Sequence, residues 1–256
     1  MMRASLPLEA ESAFFASMPE RYREAFDVTD AREHAAIVSR RGGAPAHLEI
    51  WRRIPDGGAI VCVVGDDRPG LLSFISAALL VHNMDVVGAK VFTRHAAAAN
   101  TGRGAEAIDF FWVRRDAALA MPVLRADILG IGDVLSALVA GEMTVESIAR
   151  ESRALRPVPR GAFTHATFED GAGDGLTELT VQTFDRPGLY LSITHALFRA
   201  QVQIVDSEAT TTREGRVVDR FTIAELDGSP VSRQKRGLVQ IEVLGAIDAL
   251  ARGSLS

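Results

Sequence analysis

The sequence Asp-Arg-Pro-Gly-Leu occurs twice, at residues 67–71 and 185–189, and its two copies start 118 residues apart. We call these segments the first and second junction. In both places a β-type apolar run ends at the aspartate, and an amphipathic helical pattern begins at the glycine. The apolar positions of the two helical patterns also match one another at the same spacing. A repeat of strand, loop and helix constrains the chain to two copies of one domain, and it indicates that the junction is where the domain acts.

Each copy is predicted to have the element order ββαββα. In the first copy the strands lie at 46–53, 59–64, 84–93 and 108–113, and the helices at 70–82 and 122–140. In the second copy the strands lie at 161–168, 178–184, 202–212 and 217–223, and the helices at 188–200 and 231–251. Two helices on one face of a four-stranded antiparallel sheet give an α+β, ferredoxin-like element set whose last strand has moved to the front. We predict that this permuted strand closes its own sheet; its exchange between the two copies is the competing arrangement.

The remaining segments complete the predicted organisation. The predicted segments are a helical N-terminal arm at 1–44, a first domain at 45–152, a proline-containing linker at 153–160 and a second domain at 161–253. A helix in the arm is predicted to start near Thr29, with Thr29 or Asp30 as its cap. The inner face of the last helix is predicted to comprise Leu238, Ile241, Leu244, Ile247 and Leu250. The first copy carries a long polar loop at 94–107, whereas the second has a tight turn there.

Composition and charge narrow the class of protein. Apolar residues make up 47% of the 256-residue chain, which supports sizeable cores. The net charge of −5 disfavours a nucleic-acid partner. No run of 18 apolar residues and no apolar leader occur, so we predict no membrane partner. The single cysteine, Cys62, cannot form an internal disulfide, which fits a cytoplasmic location.

The sequence contains no recognisable catalytic or metal-binding constellation. The six histidines are His34, His47, His82, His95, His165 and His195, and they never occur at a metal-ligand spacing. Cys62 has no evident base beside it, and no nucleophile motif is present. We therefore predict no catalytic residue, no metal, no cofactor and no enzymatic activity.

The junctions, the helices after them and the strands that follow, at 84–90 and 202–208, resemble the ACT domain family of small regulatory modules, which often bind amino acids. The tandem arrangement is most similar to the ACT pair at the C-terminal end of bifunctional PII uridylyltransferase/uridylyl-removing enzymes. Upstream segments at 18–22 and 33–35 extend the resemblance, which covers roughly residues 18–250. The catalytic motifs of those enzymes are absent here: no Gly-Ser precedes paired carboxylates, and no His-Asp dipeptide occurs. The resemblance thus implies a sensory region without the enzyme.

The chemistry of the junction suggests how a ligand would bind. The first N–H groups of a helix lack intrahelical partners and favour an anion, and a glycine lets a carboxylate come close. An aspartate at the start of the junction could then hold the ammonium group of an amino acid. From the junctions alone we predict the ligand residues Asp67, Arg68, Gly70 and Leu71 in the first copy and Asp185, Arg186, Gly188 and Leu189 in the second. The alternative is that both aspartates only cap their helices, and that both arginines are solvated or paired with acids.

The ACT resemblance adds residues from the strand after the helix. It implies Asp85 in the first copy, and Gln203 with Asp206 in the second. If only one site works, we favour the second copy, because Gln203 and Asp206 retain a more family-like amide and carboxylate.

Three functions remain open at this point. The first is a non-catalytic sensor in which a small effector, an amino acid such as glutamine, binds the ACT-like domains and changes a regulated protein partner. The second is a regulatory subunit or fragment of a PII uridylyltransferase-type enzyme in nitrogen regulation. The third is a purely structural dimerisation module with empty sites. The two copies could lie side by side in one chain or across a homodimer.

Overall fold

The computed structural model describes residues 8–55, 57–94, 104–115, 121–151, 163–171, 176–212 and 214–252. The predicted linker and most of the predicted loop at 94–107 fall outside these ranges. In the arm the helices are α1 (Leu8–Ser17), α2 (Glu20–Ala25) and α3 (Val28–Arg41). Helix α3 is capped by Asp27, whose carboxylate accepts a hydrogen bond from the Asp30 backbone N–H at 2.9 Å. The cap predicted at Thr29 or Asp30 is therefore wrong.

The two copies follow the arm with matching element orders. The first copy contains β1 (Ala46–Arg53), β2 (Ala59–Asp66), α4 (Leu71–Val81), β3 (Met84–Lys90), β4 (Thr93–Arg94), β5 (Glu106–Arg115), α5 (Arg125–Ala140) and α6 (Val145–Glu151). The second contains β6 (His165–Asp170), β7 (Thr177–Phe184), α7 (Leu189–Arg199), β8 (Val202–Thr211), β9 (Arg216–Glu225) and α8 (Arg233–Ala251). Apolar positions at helical spacing after each junction explain why α4 and α7 form where they do.

Both sheets are antiparallel and share one strand order. The order is β1-β2-β5-β3 in the first copy, with β4 pairing β5, and β6-β7-β9-β8 in the second. The front strand pairs within its own copy, since Leu48 lies opposite Val63 and Ala166 lies opposite Val181. The architecture is α+β and compatible with tandem ferredoxin-like domains.

The copies meet along the edge strands β3 and β8, which lie against each other, and along the helices α4 and α7. We call the contact between β3 and β8 the seam. At Gly88, a side chain would begin 3.4 Å from the Ala209 carbonyl oxygen, so the two strands approach closely there. The seam therefore brings residues that are far apart in sequence into one neighbourhood.

The first sheet is buried on both faces. Its inner face packs against α4 and α5, whereas its outer face packs against the arm. The cluster on the outer face contains Phe14, Met18, Tyr22, Phe26, Ala31, Ala35 and Ile37 from the arm and Ile60, Cys62, Val64, Phe92, Ile108 and Phe110 from the sheet or its connections. The two predicted helices account for the burial of one face, and the arm accounts for the burial of the other. The uninterrupted apolar run of β2 is the sequence counterpart of this double burial.

The predicted inner face of helix α8 is correct in part. Leu238 and Ile241 are 55% and 69% exposed, so they do not lie on the inner face. Ile247 is buried, and Leu244 and Leu250 are partly buried against the core, as predicted. Ile247 continues a buried row with Val239 and Val243, spaced four residues apart, and Ala249 is buried beside this row. A spacing of four keeps side chains close to one face of a helix.

Candidate functional site

Each junction makes a turn that only glycine adopts readily. Gly70 and Gly188 have φ values of 82° and 79°, in the left-handed region, and each is the N-cap residue of the helix that follows. The aspartates stand three residues before these caps. The interpretation of Asp67 and Asp185 as plain helix caps is therefore wrong. Asp67 instead accepts a hydrogen bond from the Thr93 hydroxyl at 2.9 Å.

The glycine of each junction is covered by an apolar side chain of the other copy. A Cβ atom on Gly70 would lie 3.1 Å from the ring of Phe198, and one on Gly188 would lie 3.4 Å from Leu80. Leu80 and Phe198 occupy the same position in the two copies, 118 residues apart. An apolar side chain thus packs beside each glycine, although both glycines are half-buried and Gly188 still lines the cavity described next. Leu71 and Leu189, the last residues of the junctions, are buried in the core.

A small cavity lies at the second junction and draws its walls from both copies. Among its lining residues are Asp185, Arg186, Gly188, Leu189, Tyr190 and Asp219 of the second copy and Leu80, Met84 and Asp85 of the first. Its volume is about 30 Å³, room for one or two water molecules. Asp85 therefore joins the second junction, not the first. Gln203 and Asp206, which we grouped with the second junction, do not line this cavity, whereas the seam brings Asp85 of the first copy to it.

An arginine of the first copy lies between two acids of this site. The Arg114 Nη2 atom is 3.6 Å from Asp185 Oδ2, and Arg114 Nε is 4.0 Å from Asp85 Oδ2. These distances are longer than direct hydrogen bonds, so the attraction is mainly electrostatic. Arg114 thus places a positive charge between a carboxylate of each copy. Arg114 was not identified from the sequence, where it is one of several charges at the end of an apolar strand.

The two junction arginines differ from each other. Arg186 is 6% exposed and donates hydrogen bonds to Thr183 Oγ1 at 2.9 Å and to the Phe184 carbonyl at 3.3 Å. Burial lowers the pKa of Arg186. Arg186 is therefore not solvated, and the nearby carboxylates Asp248 and Asp185 attract its charge. Arg68 is exposed and donates to the Val139 carbonyl at 3.1 Å.

A buried aspartate lies behind each junction, and sequence reasoning missed both as site residues. Asp219 is 3% exposed, and burial raises its pKa to about 8, with Asp185 adding to the increase and the Thr210 backbone opposing it. Burial also raises the pKa of Asp109, which accepts a hydrogen bond from the Phe92 N–H at 3.2 Å. A single aspartate within an otherwise apolar strand is the signal that could have found them.

Asp206 lies in a different place, on an open groove where the arm meets the seam. Arg21 of α2 forms a salt bridge with it, with 3.2 Å between Arg21 Nη1 and Asp206 Oδ2. The groove has a volume of about 260 Å³ and is lined by Arg21, Glu24, Ala25, Lys90, Phe92 and Asp206. We call it the arm groove. Gln203 is exposed on β8 and lines neither this groove nor the cavity at the second junction.

A third polar cluster lies between α4 and α7. The Ser73 hydroxyl is 3.2 Å from His195 Nδ1, and His195 Nε2 is 3.3 Å from Glu146 Oε1. This order of groups is that of an acyl-transfer triad. However, Ser73 lies in the first turn of α4 and is only 1% exposed, so a substrate carbonyl cannot reach it. The cluster is an interdomain contact, and within the described residues no group of three side chains is arranged to hold a metal ion.

Relatives of the chain support the resemblance that the junctions suggested. The chain is 26% identical over 245 residues to the bifunctional uridylyltransferase/uridylyl-removing enzyme of Caulobacter vibrioides, 28% over 239 residues to that of Phenylobacterium zucineum, and 29% over 220 residues to that of Gluconobacter oxydans. The chain resembles one region of these enzymes. These alignments cover 93%, 90% and 81% of the chain, but only 25%, 24% and 21% of the relatives, so the chain spans about a quarter of their length. No family model matches the chain. No helix in the described parts of the chain is long and apolar enough to cross a membrane.

Proposed function

We propose that this chain is a non-catalytic regulatory module of two permuted, ferredoxin-like ACT domains, which binds a small effector and acts on a protein partner. The relatives named above support a regulatory role in the modification of PII proteins, because the chain corresponds to only about a quarter of each enzyme. The amino-acid effector follows from the resemblance of both junctions to ACT domains.

The observation that carries this proposal is that the cavity at the second junction has walls from both copies. Asp85 comes from the first copy, whereas Asp185 and Asp219 come from the second. A ligand bound here touches both domains at once. It would bias their arrangement by the difference between its affinities for the two states, which is the thermodynamic requirement for an allosteric effector.

The charges at the site suggest how an amino acid would bind. Its ammonium group would take the place of the Arg114 guanidinium between Asp85 and Asp185, and its carboxylate would face the start of α7. Because the cavity holds only about 30 Å³, binding requires the second junction to move away from β3. Ligand binding is thus coupled to an opening of the contact between the second junction and β3.

Calorimetric titration of the full chain with each of the twenty amino acids tests the proposal. We expect at least one, with glutamine as the first choice, to bind with a Kd below millimolar. Asp185→Asn and Asp85→Asn should each weaken binding about tenfold or more, because a charge-assisted contact is lost. Asp133→Asn, on the exposed side of α5, is the matched control and should bind as the wild type does. The proposal fails if no amino acid binds and if Asp67→Ala combined with Asp185→Ala changes nothing.

Arg114→Gln sharpens this test. If an ammonium group competes with the guanidinium, removing the guanidinium should tighten amino-acid binding several-fold even as it weakens the seam. An unchanged or weaker affinity in this variant would contradict the placement of the ammonium group.

A second candidate is a purely structural module, and the closed site favours it. The cavity is of water size, and Arg114 already occupies the space between the acids. In that case no small molecule raises the melting temperature, and Arg114→Gln only lowers it. A fragment or subunit that works with a separate catalytic chain is a variant of the first proposal. Co-purification with a nucleotidyltransferase-type protein would support that variant, and a partner-free oligomer in cell extract would count against it.

A further inference from the structure

The arm groove offers room that the second junction lacks. Its volume is about 260 Å³, compared with about 30 Å³ for the cavity at the second junction. Sites for drug-sized ligands occupy about 300–1,000 Å³. The arm groove is therefore suited to a compact metabolite, and it can admit one without the seam opening.

Three separate parts of the chain form the walls of this groove. Helix α2 of the arm contributes Arg21, Glu24 and Ala25, and strand β8 of the second copy contributes Asp206. Lys90 at the end of β3 and Phe92 just after it come from the first copy. An occupant would thus touch the arm and both copies.

The groove carries charges of both signs around an apolar patch. Its two cations are Arg21 and Lys90, and its two carboxylates are Asp206 and Glu24. Its apolar lining consists of the exposed Ala25 and the small accessible part of Phe92, which is 4% exposed. The salt bridge between Arg21 and Asp206, at 3.2 Å, is partly exposed, and Lys90 Nζ lies 3.7 Å from Glu208 Oε1 on the neighbouring strand. Burial raises the pKa of Asp206 even though Arg21 opposes the shift. A further positive group would therefore stabilise the ionised carboxylate.

We propose that the arm groove is a second small-molecule site, distinct from the cavity at the second junction, and that it takes a compact zwitterion of the α-amino acid class. The ligand carboxylate is held by Arg21 and Lys90, and the ligand ammonium by Asp206 and Glu24. The side chain of the ligand lies along Phe92 and Ala25. The inference relies on the proposed function only for the class of ligand.

Binding in the arm groove has a consequence for the arm. The ligand replaces the direct contact between Arg21 and Asp206 with two contacts that run through its own charged groups. The position of α2 relative to β8 then depends on whether the groove is occupied. The groove thereby links the arm to the second copy, whereas the cavity at the second junction links the two copies to each other.

The test is a calorimetric titration of the full chain with the twenty amino acids, followed by variants at both sites. We expect Arg21→Gln and Asp206→Asn each to weaken one binding event about tenfold or more. Arg199→Gln is the matched control, because Arg199 forms a comparable exposed salt bridge with Glu242 at 3.1 Å, away from the groove. The deaminated and decarboxylated analogues of the best-binding amino acid should both fail to bind the groove, since each lacks one of the two charged groups.

The outcomes separate this inference from the proposed function. If Asp185→Asn abolishes all binding while Arg21→Gln and Asp206→Asn bind as the wild type does, the arm groove is not a site, and the effector site at the second junction stands. If Arg21→Gln and Asp206→Asn remove an event that survives Asp185→Asn, the arm groove is a second site. If none of the twenty amino acids binds the wild type, both proposals fall. Equal binding of either single-charge analogue to the groove overturns the zwitterion assignment.

Discussion

The outer faces of the two sheets differ although the sheets share a strand order and a junction. On the central strand of the first copy the outward positions are Ile60, Cys62 and Val64, all buried against the arm. The corresponding positions of the second copy, 118 residues later, are Glu178, Thr180 and Gln182, which are half-buried or exposed. The outer face of the first sheet thus binds the arm, and we call this face the platform. The outer face of the second sheet is polar.

The arm is held on its platform by aromatic packing and one buried polar contact. The Tyr22 hydroxyl is 2.6 Å from His34 Nδ1, and both rings pack near Phe110. Burial lowers the pKa of His34 to about 3, so the ring is neutral at physiological pH. The second copy does not favour a second arm of this kind, because an arm there would bury the charged pair Glu178 and Arg220 together with polar side chains. The two halves therefore share a strand order but differ in function at their outer faces, since the arm packs on the first sheet.

The largest expected loss of stability comes from disrupting the packing between the arm and the first sheet. Phe110→Ala removes a fully buried ring between the arm and the first sheet, and we expect it to lower the free energy of unfolding by about 3–5 kcal/mol. The corresponding outward residue of the second copy is Arg220, which follows Asp219 as Phe110 follows Asp109. Arg220→Ala should change stability by no more than about 0.5 kcal/mol. Urea denaturation of both variants measures the contrast, and equal losses would contradict the comparison.

The second-largest effect is a pH dependence of stability caused by the buried aspartates, Asp219 in the second copy and Asp109 in the first. Asp219 keeps its proton when folded up to about pH 8, whereas the unfolded chain releases it near pH 4, so this residue makes folding less favourable as pH rises between those values. Asp219→Asn removes that dependence. The stability of the variant relative to the wild type should therefore rise by about 2–3 kcal/mol between pH 5 and pH 7. Denaturation curves at several pH values measure it.

Asp109→Asn is the matched variant in the first copy. Burial raises the pKa of Asp109 in the same direction, so the relative stability should rise with pH here also. If the stability of either variant relative to the wild type does not change with pH, the buried aspartate of that copy is ionised in the folded protein.

The smallest effects concern the junction glycines. Gly70→Ala and Gly188→Ala place a Cβ on a left-handed residue, at a cost of about 1–2 kcal/mol each. The loss should be larger at Gly70, because the new methyl group meets the rigid ring of Phe198 at 3.1 Å, whereas at Gly188 it meets the more adaptable Leu80 at 3.4 Å. Thermal denaturation measures the difference, and shifts in the reverse order would contradict the packing described for the two junctions.

Much of the local structure could be predicted from the sequence. The repeated junction located the turn into α4 and α7, since apolar residues at helical spacing follow each glycine. The run of apolar residues in β2 correctly indicated a central strand. These predictions worked because they depend on periodicity within one element.

The errors arise where the answer depends on contacts between elements. The five apolar residues predicted for the inner face of α8 follow one another at steps of three, and each step falls about 60° short of a full turn, so they drift around the helix. The sequence also could not show that β3 and β8 meet, and so it could not place Asp85 beside the second junction. The sequence predicts a helical arm but not the surface that the arm covers, because an apolar strand can be covered by many partners.

The contact between β3 and β8 is formed within one chain, and this has a consequence for how the seam responds to dilution. Two separate domains would associate only at sufficient concentration, whereas covalent linkage gives each half a high effective concentration of the other. The seam therefore stays assembled however scarce the protein is. Because each half has its own stretch of sequence, equivalent positions can hold different residues, as Leu80 and Phe198 do. Two identical chains cannot differ in this way.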